Sequence, residues 1–417
     1  MDLRTGLTLL AVLLGHGAVH TYAHNRLNAR GWPRGFIKVA ERVIHASFFL
    51  TPLLLGTLWG GRVWEAWSSG ANFFGPIDGL DEAYAAASVV GLIVLLPNWL
   101  VGRYTQLSQR RHRRSVERYP INVGVDREPA IYRRGWLRTI AKLPGNQVGE
   151  VELSVKRLQV AGLPPTWAGL RIGHLSDFHL TGWYDQRYYL AAVQAVLEHG
   201  VDLCCFTGDL VDVDETIAAA AETLRAFDCE YGQYFVLGNH DRRVSEPNDL
   251  RWALQAAGWT DLGEAVADRR TTRGPLQLLG NELPWFDLPR RRDAEASLLE
   301  KAFPTGGLRI GLAHSPDQWK WGMNCHCDLL LCGHTHGGQV RLPLIGPIIA
   351  PSDYGSRYAS GIFRLGSQTV HVSRGLSGTQ PLRINCMPEV SVLILESDDP
   401  PVKRGGAAGA AGATRAD

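Results

Sequence analysis

The chain has 417 residues, of which 45% are hydrophobic and 20% are charged, so it has enough apolar side chains for a sizeable buried core. Its formal net charge of +2 argues against a protein dedicated to binding nucleic acid. All seven cysteines lie between Cys204 and Cys386, and neither their odd number nor their spacing suggests a disulfide framework. We therefore expect reduced thiols and a cytosolic compartment for this part of the chain.

The first 102 residues contain three apolar segments, 6–22, 43–59 and 84–101, which predict an α-helical membrane region. Each segment is near the lower limit of the roughly 20 predominantly apolar residues that a spanning helix needs, so a single anchor remains an alternative to three spans. His16, His20 and His45 lie in the first two segments. We interpret them as neutral side chains at helix contacts rather than as ligands of haem or metal.

Arginines dominate the segments that follow the first and third apolar runs, whereas acidic residues outnumber basic ones between the second and third. The positive-inside rule then places the amino terminus outside and the C-terminal half of the chain in the cytoplasm. We interpret 103–149 as a basic juxtamembrane linker that either contacts anionic membrane lipid or serves only as a topology signal. The Gly- and Ala-rich tail, 398–417, is predicted to be disordered.

Beyond residue 150, apolar runs alternate with segments of helical periodicity, which predicts a layered α/β domain over 150–397. Five of these runs end in side chains that bind metals or exchange protons. They are Asp177 and His179, Asp209 and Asp212, Asn239, His240 and Asp241, His314, and His334 and His336. The sites of α/β folds assemble at strand ends, and this ligand set suits Mn²⁺, Fe²⁺ or Zn²⁺. The sequence therefore predicts a metal centre.

These residues stand in five motifs: Asp-x-His, Gly-Asp-x-x-Asp, Gly-Asn-His-Asp, a single His, and Gly-His-x-His. In this order the motifs resemble those of the calcineurin-like metallophosphoesterase family. The resemblance implies a sandwich of two mixed β-sheets flanked by helices, and a site for two divalent metal ions. The first ion would be bound by Asp177, His179, Asp209 and His336, and the second by Asp209, Asn239, His314 and His334. His240 would be the catalytic histidine, oriented by Asp212 or Asp241.

The resemblance implies a hydrolase in which metal-activated water attacks phosphorus while His240 protonates the leaving oxygen or stabilises its negative charge. Val213, where protein phosphatases of this family have arginine, and Asp241, where they have glutamate, argue against a serine/threonine protein phosphatase. The stretch 333–339 and the sequence Ser-Arg-Gly-Leu at 373–376 resemble the membrane-attached bacterial branch of the family. That branch implies a multi-pass protein of the inner (cytoplasmic) membrane, with the catalytic domain facing the cytoplasm.

A phosphoester or a lipid-linked nucleotide is the expected substrate, and the resemblance suggests UDP-2,3-diacylglucosamine of lipid A biosynthesis as one candidate. A tethered phosphodiesterase for soluble substrates is the alternative. A non-catalytic membrane scaffold is disfavoured, because no ligand and no catalytic histidine is missing. Arg374 and Arg383 lie beside Gly and Pro turns and are candidates to bind a second phosphate of the substrate, or else ordinary surface arginines. Membrane lipid is an expected partner, nucleic acid is not, and the oligomeric state stays open.

Overall fold

The computed structural model describes residues 3–69, 79–108, 113–121, 135–287, 289–300, 303–378 and 380–397. The predicted tail, 398–417, and part of the basic linker, including Arg110 and Arg111, lie outside the described residues. The helices described are α1 (Leu3–Ala29), α2 (Arg34–Ser69), α3 (Leu80–Ser108), α4 (Gly135–Ala141), α5 (Gln186–Glu198), α6 (Ile217–Leu224), α7 (Pro247–Ala256), α8 (Pro289–Leu299) and α9 (Trp319–Asn324).

The strands described are β1 (Arg113–Pro120), β2 (Glu152–Val160), β3 (Arg171–Leu175), β4 (Leu203–Thr207), β5 (Gln233–Val236), β6 (Thr260–Asp261), β7 (Ala267–Thr271), β8 (Gly274–Asn281), β9 (Leu308–Ala313), β10 (Leu329–Cys332), β11 (Arg341–Leu342), β12 (Gly346–Pro347), β13 (Gly361–Leu365), β14 (Gln368–Val372) and β15 (Glu389–Ser397). The alternation of strands and helices beyond residue 150 agrees with the predicted α/β class.

The helices α1, α2 and α3 are each long and apolar enough to cross a membrane, judged by length and composition. α1 packs against α3 so closely that a Cβ on Gly15 would lie 2.0 Å from the Ser88 carbonyl oxygen. His16 bonds to the Tyr84 hydroxyl at 2.5 Å and to the Phe48 carbonyl oxygen at 2.9 Å, so its ring ties the three helices together. These contacts stabilise a compact helical region.

Two mixed β-sheets face each other in the C-terminal domain, as the predicted sandwich requires. The first has the strand order β1-β2-β15-β3-β4-β5-β6, and the second has the order β13-β14-β10-β9-β8-β7. Strands β3 to β6 are parallel in the first sheet, and β8, β9, β10 and β14 are parallel in the second. Because carboxyl ends of parallel strands share an edge, the loops after these strands converge.

Apolar side chains from the facing surfaces of the sheets form one core, in which Leu203, Val236 and Leu312 are fully buried. Helices α5, α6 and α7 cover the outer face of the first sheet over a second core that includes Phe206 and Phe235. All seven cysteines are buried and free, which is consistent with the expected reduced thiols. Burial on both faces explains why most of these strands appear in the sequence as continuous apolar runs.

Strand β1 lies within the segment predicted as a linker. It pairs antiparallel with β2, from Ser115 opposite Arg157 to Pro120 opposite Glu152. Its charged side chains and terminal proline suit an edge strand. They also explain why the hydrophobic pattern of the sequence does not predict this strand. Leu137 of α4 is fully buried in the core beneath the first sheet. The described part of 103–149 therefore contributes both an edge strand and a helix with one buried side chain to the domain.

The three N-terminal helices contact the C-terminal domain at the segment 344–356. Asn25 of α1 donates from Nδ2 to the Ile348 carbonyl oxygen at 3.2 Å and accepts from the Ala350 N–H at 2.9 Å. Gln106 of α3 donates to a backbone carbonyl of the same segment. This segment follows the metal-binding histidines predicted at 334 and 336, so the helical region is joined directly to the neighbourhood of the candidate site.

Candidate metal centre

The loops after β3, β4, β5, β9 and β10 bring their polar residues together at one edge of the sandwich. Three groups of potential ligand atoms lie within 4.8 Å of one another: Asp177, His179, Asp209 and His336; Asp209, His314 and His334; and His179, Asp212 and His240. Asn239 joins the second group, because its Oδ1 lies 3.1 Å from His314 Nε2. All seven predicted ligands are thus in one place, and Asp209 belongs to the first two groups.

Two imidazole rings of the first group face each other through nitrogens that carry lone pairs. His179 Nδ1 lies 2.8 Å from the Asp212 carboxylate, and His336 Nδ1 lies 3.0 Å from the Ser377 carbonyl oxygen. In the neutral rings each Nδ1 is therefore the donor, and each Nε2 has a lone pair. The two Nε2 atoms are 3.3 Å apart. Lone pairs repel at this distance, whereas both would bind a cation placed between them.

The second group of side chains also brings lone pairs close together. His314 Nδ1 lies 2.6 Å from the Thr207 carbonyl oxygen, so in the neutral ring Nε2 carries the lone pair, and this atom lies 3.1 Å from Asp209 Oδ2. Among the described residues, no hydrogen bond reaches the buried atoms Asp209 Oδ2 and His334 Nε2. Burial disfavours protonation of His314, but the carboxylates of Asp209 and Asp177 raise its pKa to about 9. The group favours a positive charge, which a divalent ion supplies.

Five of the predicted ligands have their backbone in the left-handed region. They are Asp177, His179, Asp209, His334 and His336, with φ between 47° and 68°. Residues other than glycine rarely adopt this region, and each such conformation costs on the order of 1 kcal/mol. The loops are pressed together, because a Cβ on Gly333 would lie 1.8 Å from Ser176 Oγ. Strain concentrated on the ligands is typical of a functional site.

His240 is held between a carboxylate and a guanidinium. Its Nδ1 lies 2.5 Å from Asp212 Oδ1, and Nη2 of Arg243 lies 2.7 Å from its Nε2. Because a guanidinium only donates, Nε2 accepts and Nδ1 donates to Asp212. Burial lowers the pKa of His240 to about 4, so this ring is neutral at pH 7. Arg243 was not among the predicted site residues, although two arginines directly after Gly-Asn-His-Asp were a visible signal.

Asp212, rather than Asp241, is the carboxylate that orients His240. Its second oxygen accepts from His179 at 2.8 Å. Burial opposes its ionisation, but the two rings hold the pKa of Asp212 well below its usual range. Asp241 instead accepts four backbone N–H bonds, from Asp209, Leu210, Val211 and Gly238, at 2.8–3.0 Å. Asp241 therefore braces the loop that carries Asp209.

The two arginines predicted to bind substrate have partners within the protein. Arg374 pairs with Glu389 at 2.6 Å and also with Glu152, and its side chain is 11% exposed. Arg383 is 1% exposed and donates to the carbonyl oxygens of His336 and Arg374 at 2.9 and 2.8 Å. The Arg383 guanidinium thus supports the loop that carries His336, and two carboxylates hold the Arg374 guanidinium, so both groups have partners within the protein in this arrangement.

The residues of this site lie in a region of the chain that matches a known protein family. A sequence model of the family described as calcineurin-like phosphoesterase matches residues 170–338, which include every residue of the metal centre. The chain is 31% identical over 239 residues to phosphodiesterase YaeI of Escherichia coli, an alignment that covers 55% of this chain and 83% of that protein. It is 29% identical over 252 residues to metallophosphoesterase YkuE of Bacillus subtilis, covering 59% of this chain and 86% of YkuE.

A third relative also combines this domain with a membrane region. The chain is 28% identical over 270 residues to a transmembrane protein with metallophosphoesterase domain of Danio rerio, covering 60% of this chain and 57% of the relative. The alignment with YaeI covers most of that protein at more than 30% identity. The order of the motifs, the two mixed sheets and the presence of Asp209 in two ligand groups also agree with what the resemblance to this family implies. The chain therefore belongs to the calcineurin-like metallophosphoesterase family.

Proposed function

We propose that the protein is a membrane-anchored phosphohydrolase that uses two divalent metal ions to cleave a phosphoester or pyrophosphate bond. The observation that carries the proposal is the convergence of lone pairs in two groups that share Asp209. Asp177, His179 and His336 would complete the first ion's ligands, and Asn239, His314 and His334 the second's. Bound ions would supply Lewis acidity toward the phosphoryl oxygens and would lower the pKa of a water molecule.

The chain's own residues then position the phosphoryl group and move protons. Asp212 fixes the His240 ring through Nδ1, so Nε2 is the atom that would take up a proton from the attacking water and pass it to the leaving oxygen. In the structure, the guanidinium of Arg243 donates a hydrogen bond to His240 Nε2. A phosphoryl group bound here would accept the hydrogen bonds of this guanidinium in place of His240, which frees Nε2 and adds positive charge where negative charge develops.

The placement of the membrane helices supports a substrate that lies at the membrane surface. Trp285 covers the second ligand group, with its ring 5.2 Å from the His314 ring and 4.8 Å from the His334 ring. Next to it, the Pro284 carbonyl meets the turn between α1 and α2, where a Cβ on Gly31 would lie 2.3 Å from the carbonyl oxygen. The loop over the metal centre thus touches the helical region, so a lipid-linked phosphate would reach the ions over a short path.

The basic segments near the ends of α1 and α3 support a cytoplasmic position for the catalytic domain, in the inner membrane. Within this proposal, UDP-2,3-diacylglucosamine is the specific lipid-linked candidate. Hydrolysis of soluble phosphodiesters is the alternative, and the similarity to the protein named phosphodiesterase YaeI favours it. A scaffold without activity is disfavoured, because the ligand atoms and the His240–Asp212 pair are all in position.

The test compares a lipid-linked and a soluble substrate on the same preparation. Protein purified in detergent with Mn²⁺ is offered UDP-2,3-diacylglucosamine and bis(p-nitrophenyl) phosphate in parallel, with Asp209→Ala as the blank. Asp268→Ala, which removes an exposed carboxylate of β7, is the matched control and is expected to keep full activity. Faster release of UMP from the lipid supports the lipid substrate. Cleavage of the generic ester alone favours the phosphodiesterase, and no Asp209-dependent cleavage of either would contradict the hydrolase.

A further inference from the structure

A cavity lies apart from the candidate metal centre, between the C-terminal end of α3, the β1–β2 edge of the first sheet and the β11–β12 hairpin. Its volume is about 510 Å³, within the range typical of ligand pockets. Among the described residues that line it, five are basic and one is acidic. The basic residues are Arg103, Arg118, Lys156, Arg341 and Arg374, and the acidic residue is Glu389. This excess of positive charge fits an anion.

Carboxylates neutralise only part of that charge. Glu389 pairs with Arg374 at 2.6 Å and with Lys156 at 3.0 Å. Glu152, just behind the lining, pairs with Arg374 and lies 3.6 Å from Arg118. Two carboxylates are thus shared by three cations. These ion pairs leave the guanidinium groups of the other two lining arginines without a counter-charge.

Those two arginines are Arg103 and Arg341, and neither forms an ion pair within the part of the chain that the structure describes. Arg103 donates to the Leu344 carbonyl oxygen at 3.3 Å, while its buried Nε has no hydrogen-bond partner there. Arg341 donates from Nε to the Gly337 carbonyl oxygen at 2.8 Å. A partly buried cation without a counter-charge is costly, and a phosphate bound by both guanidinium groups would satisfy them.

The wall of the cavity continues into an apolar segment, 342–349, that the protein leaves uncovered. Its exposed side chains are Leu342 at 40%, Leu344 at 96%, Ile345 at 41%, Ile348 at 37% and Ile349 at 52%. Leu344 also has a left-handed backbone with φ of 64°, which presents its side chain outward at a conformational cost. The bonds of Asn25 to Ile348 and of Arg103 to Leu344 hold this segment beside α1 and α3.

We propose that the cavity binds the phosphate of an anionic phospholipid, with the apolar segment 342–349 lying in the boundary between headgroups and acyl chains. The segment is fixed to the ends of helices that can cross a membrane, so the cavity opens at headgroup height. Apolar side chains at this height bury area in lipid, and arginines next to them attract anionic headgroups. A soluble phosphate would need the same arginines but not the five exposed apolar side chains.

The test uses the full chain in a non-ionic detergent and counts bound lipids by native mass spectrometry. The probes are phosphatidylglycerol and phosphatidylcholine of identical acyl chains, each titrated against wild type and Arg103→Gln. We expect preferential binding of phosphatidylglycerol, and a loss of about tenfold in its affinity for Arg103→Gln, as removal of a charged hydrogen-bonding group predicts. Arg42→Gln is the matched control, because it removes a charge from exposed α2 without lining the cavity.

A second variant and a second ligand separate lipid from phosphate. Leu344→Ser keeps every cationic group and removes one apolar contact, so we expect weaker binding of phosphatidylglycerol in a chain with unchanged thermal stability. Glycerol phosphate competes for the guanidinium groups only, so it should displace the lipid poorly. Equal affinity for the two lipids would contradict the proposed site. An equal loss of phosphatidylglycerol affinity in Arg42→Gln and Arg103→Gln would also contradict it. Binding of glycerol phosphate as tightly as the lipid would overturn the assignment to lipid.

Discussion

At the scale of single residues, hydrogen bonds from neighbouring acceptors orient the side chains of the candidate metal centre. His179, His314 and His336 each direct Nδ1 to an acceptor, so each presents Nε2 to the centre. The acceptors are a carboxylate for His179 and backbone carbonyls for the other two rings. These bonds fix tautomer and ring orientation before any ion is bound, which increases the affinity of the site.

His240 is expected to serve the chemistry and not the binding of metal. We expect His240→Ala to lower kcat by about 10²- to 10⁴-fold, because it removes the positioned group that exchanges a proton with the leaving oxygen. Metal content should be unchanged, because His240 Nε2 faces Arg243 rather than the two ligand groups that share Asp209. Steady-state rates and metal analysis of the same sample check both statements. An unchanged kcat would contradict the proposed role.

Arg243 gives a prediction about pH. Burial is the main cause of the low pKa of His240, and the positive charge of Arg243 lowers it further. Removal of that charge in Arg243→Gln must therefore raise the pKa of His240, by about one unit. The limb of the kcat/KM profile that reports His240 should move to higher pH by the same amount. Arg243→Lys keeps the charge and should leave the limb near its original position, whereas a shift to lower pH would exclude this coupling.

The sequence predicts ligands at this scale better than it predicts their supporting partners. Metal ligands are recognisable because their residue types recur at strand ends, as at Asp177 and His334. The partners of Arg374 lie more than 200 residues away in one case, at Glu152, and no local pattern indicates such a pair. The contact between the rings of Trp285 and His334 also joins residues that are far apart in the sequence. Their roles follow from the folded arrangement alone.

At the scale of elements, strands that are buried on both faces are visible in the sequence, and edge strands are not. β4 and β10 are continuous apolar runs, so their positions and the loops after them were predictable. β1 is charged, and its stability comes from pairing with β2 rather than from its own hydrophobic pattern. The contact of α1 with the segment 344–356 was also unpredictable, because its hydrogen bonds come from the polar side chain of Asn25 to backbone groups more than 300 residues away.

That contact leads to a prediction for Asn25. Asn25→Leu removes both bonds of the amide. The buried Ala350 N–H then lacks this partner, at a cost of about 1–3 kcal/mol, and the loss at the more exposed Ile348 carbonyl costs less. We expect faster hydrogen exchange at Ala350 and its neighbours, measured by mass spectrometry in detergent. Asn28→Leu is the matched control on α1, because within the described residues the Asn28 side chain bonds only to the His24 carbonyl of its own helix. If Ala350 and its neighbours exchange hydrogen as slowly in Asn25→Leu as in the wild type, other contacts hold the segment.

At the scale of the whole molecule, a helical membrane region and an α/β domain were both predictable from composition and motif order. Their relative placement was not, since it depends on contacts between the turn after α1, the Trp285 loop and the segment 344–356. This placement puts the metal centre and the basic cavity on the side of the domain that meets the helices. The two sites also share the segment 336–341, in which His336 belongs to the metal centre and Arg341 lines the cavity.

The stability of the whole domain should depend on bound metal. Removal of bound ions would leave the buried carboxylates of Asp177 and Asp209 and the lone pair of His336 without a divalent positive charge. An ion present at 100 times its dissociation constant stabilises the folded state by about 2.7 kcal/mol, which corresponds to about 5–10 °C in Tm for a domain of this size. We expect a chelator to lower Tm by this amount, and added Mn²⁺ to restore it. Asp209→Ala binds both ions poorly, so its Tm should respond little to the chelator, and an equal fall in this variant would place the stabilising metal elsewhere.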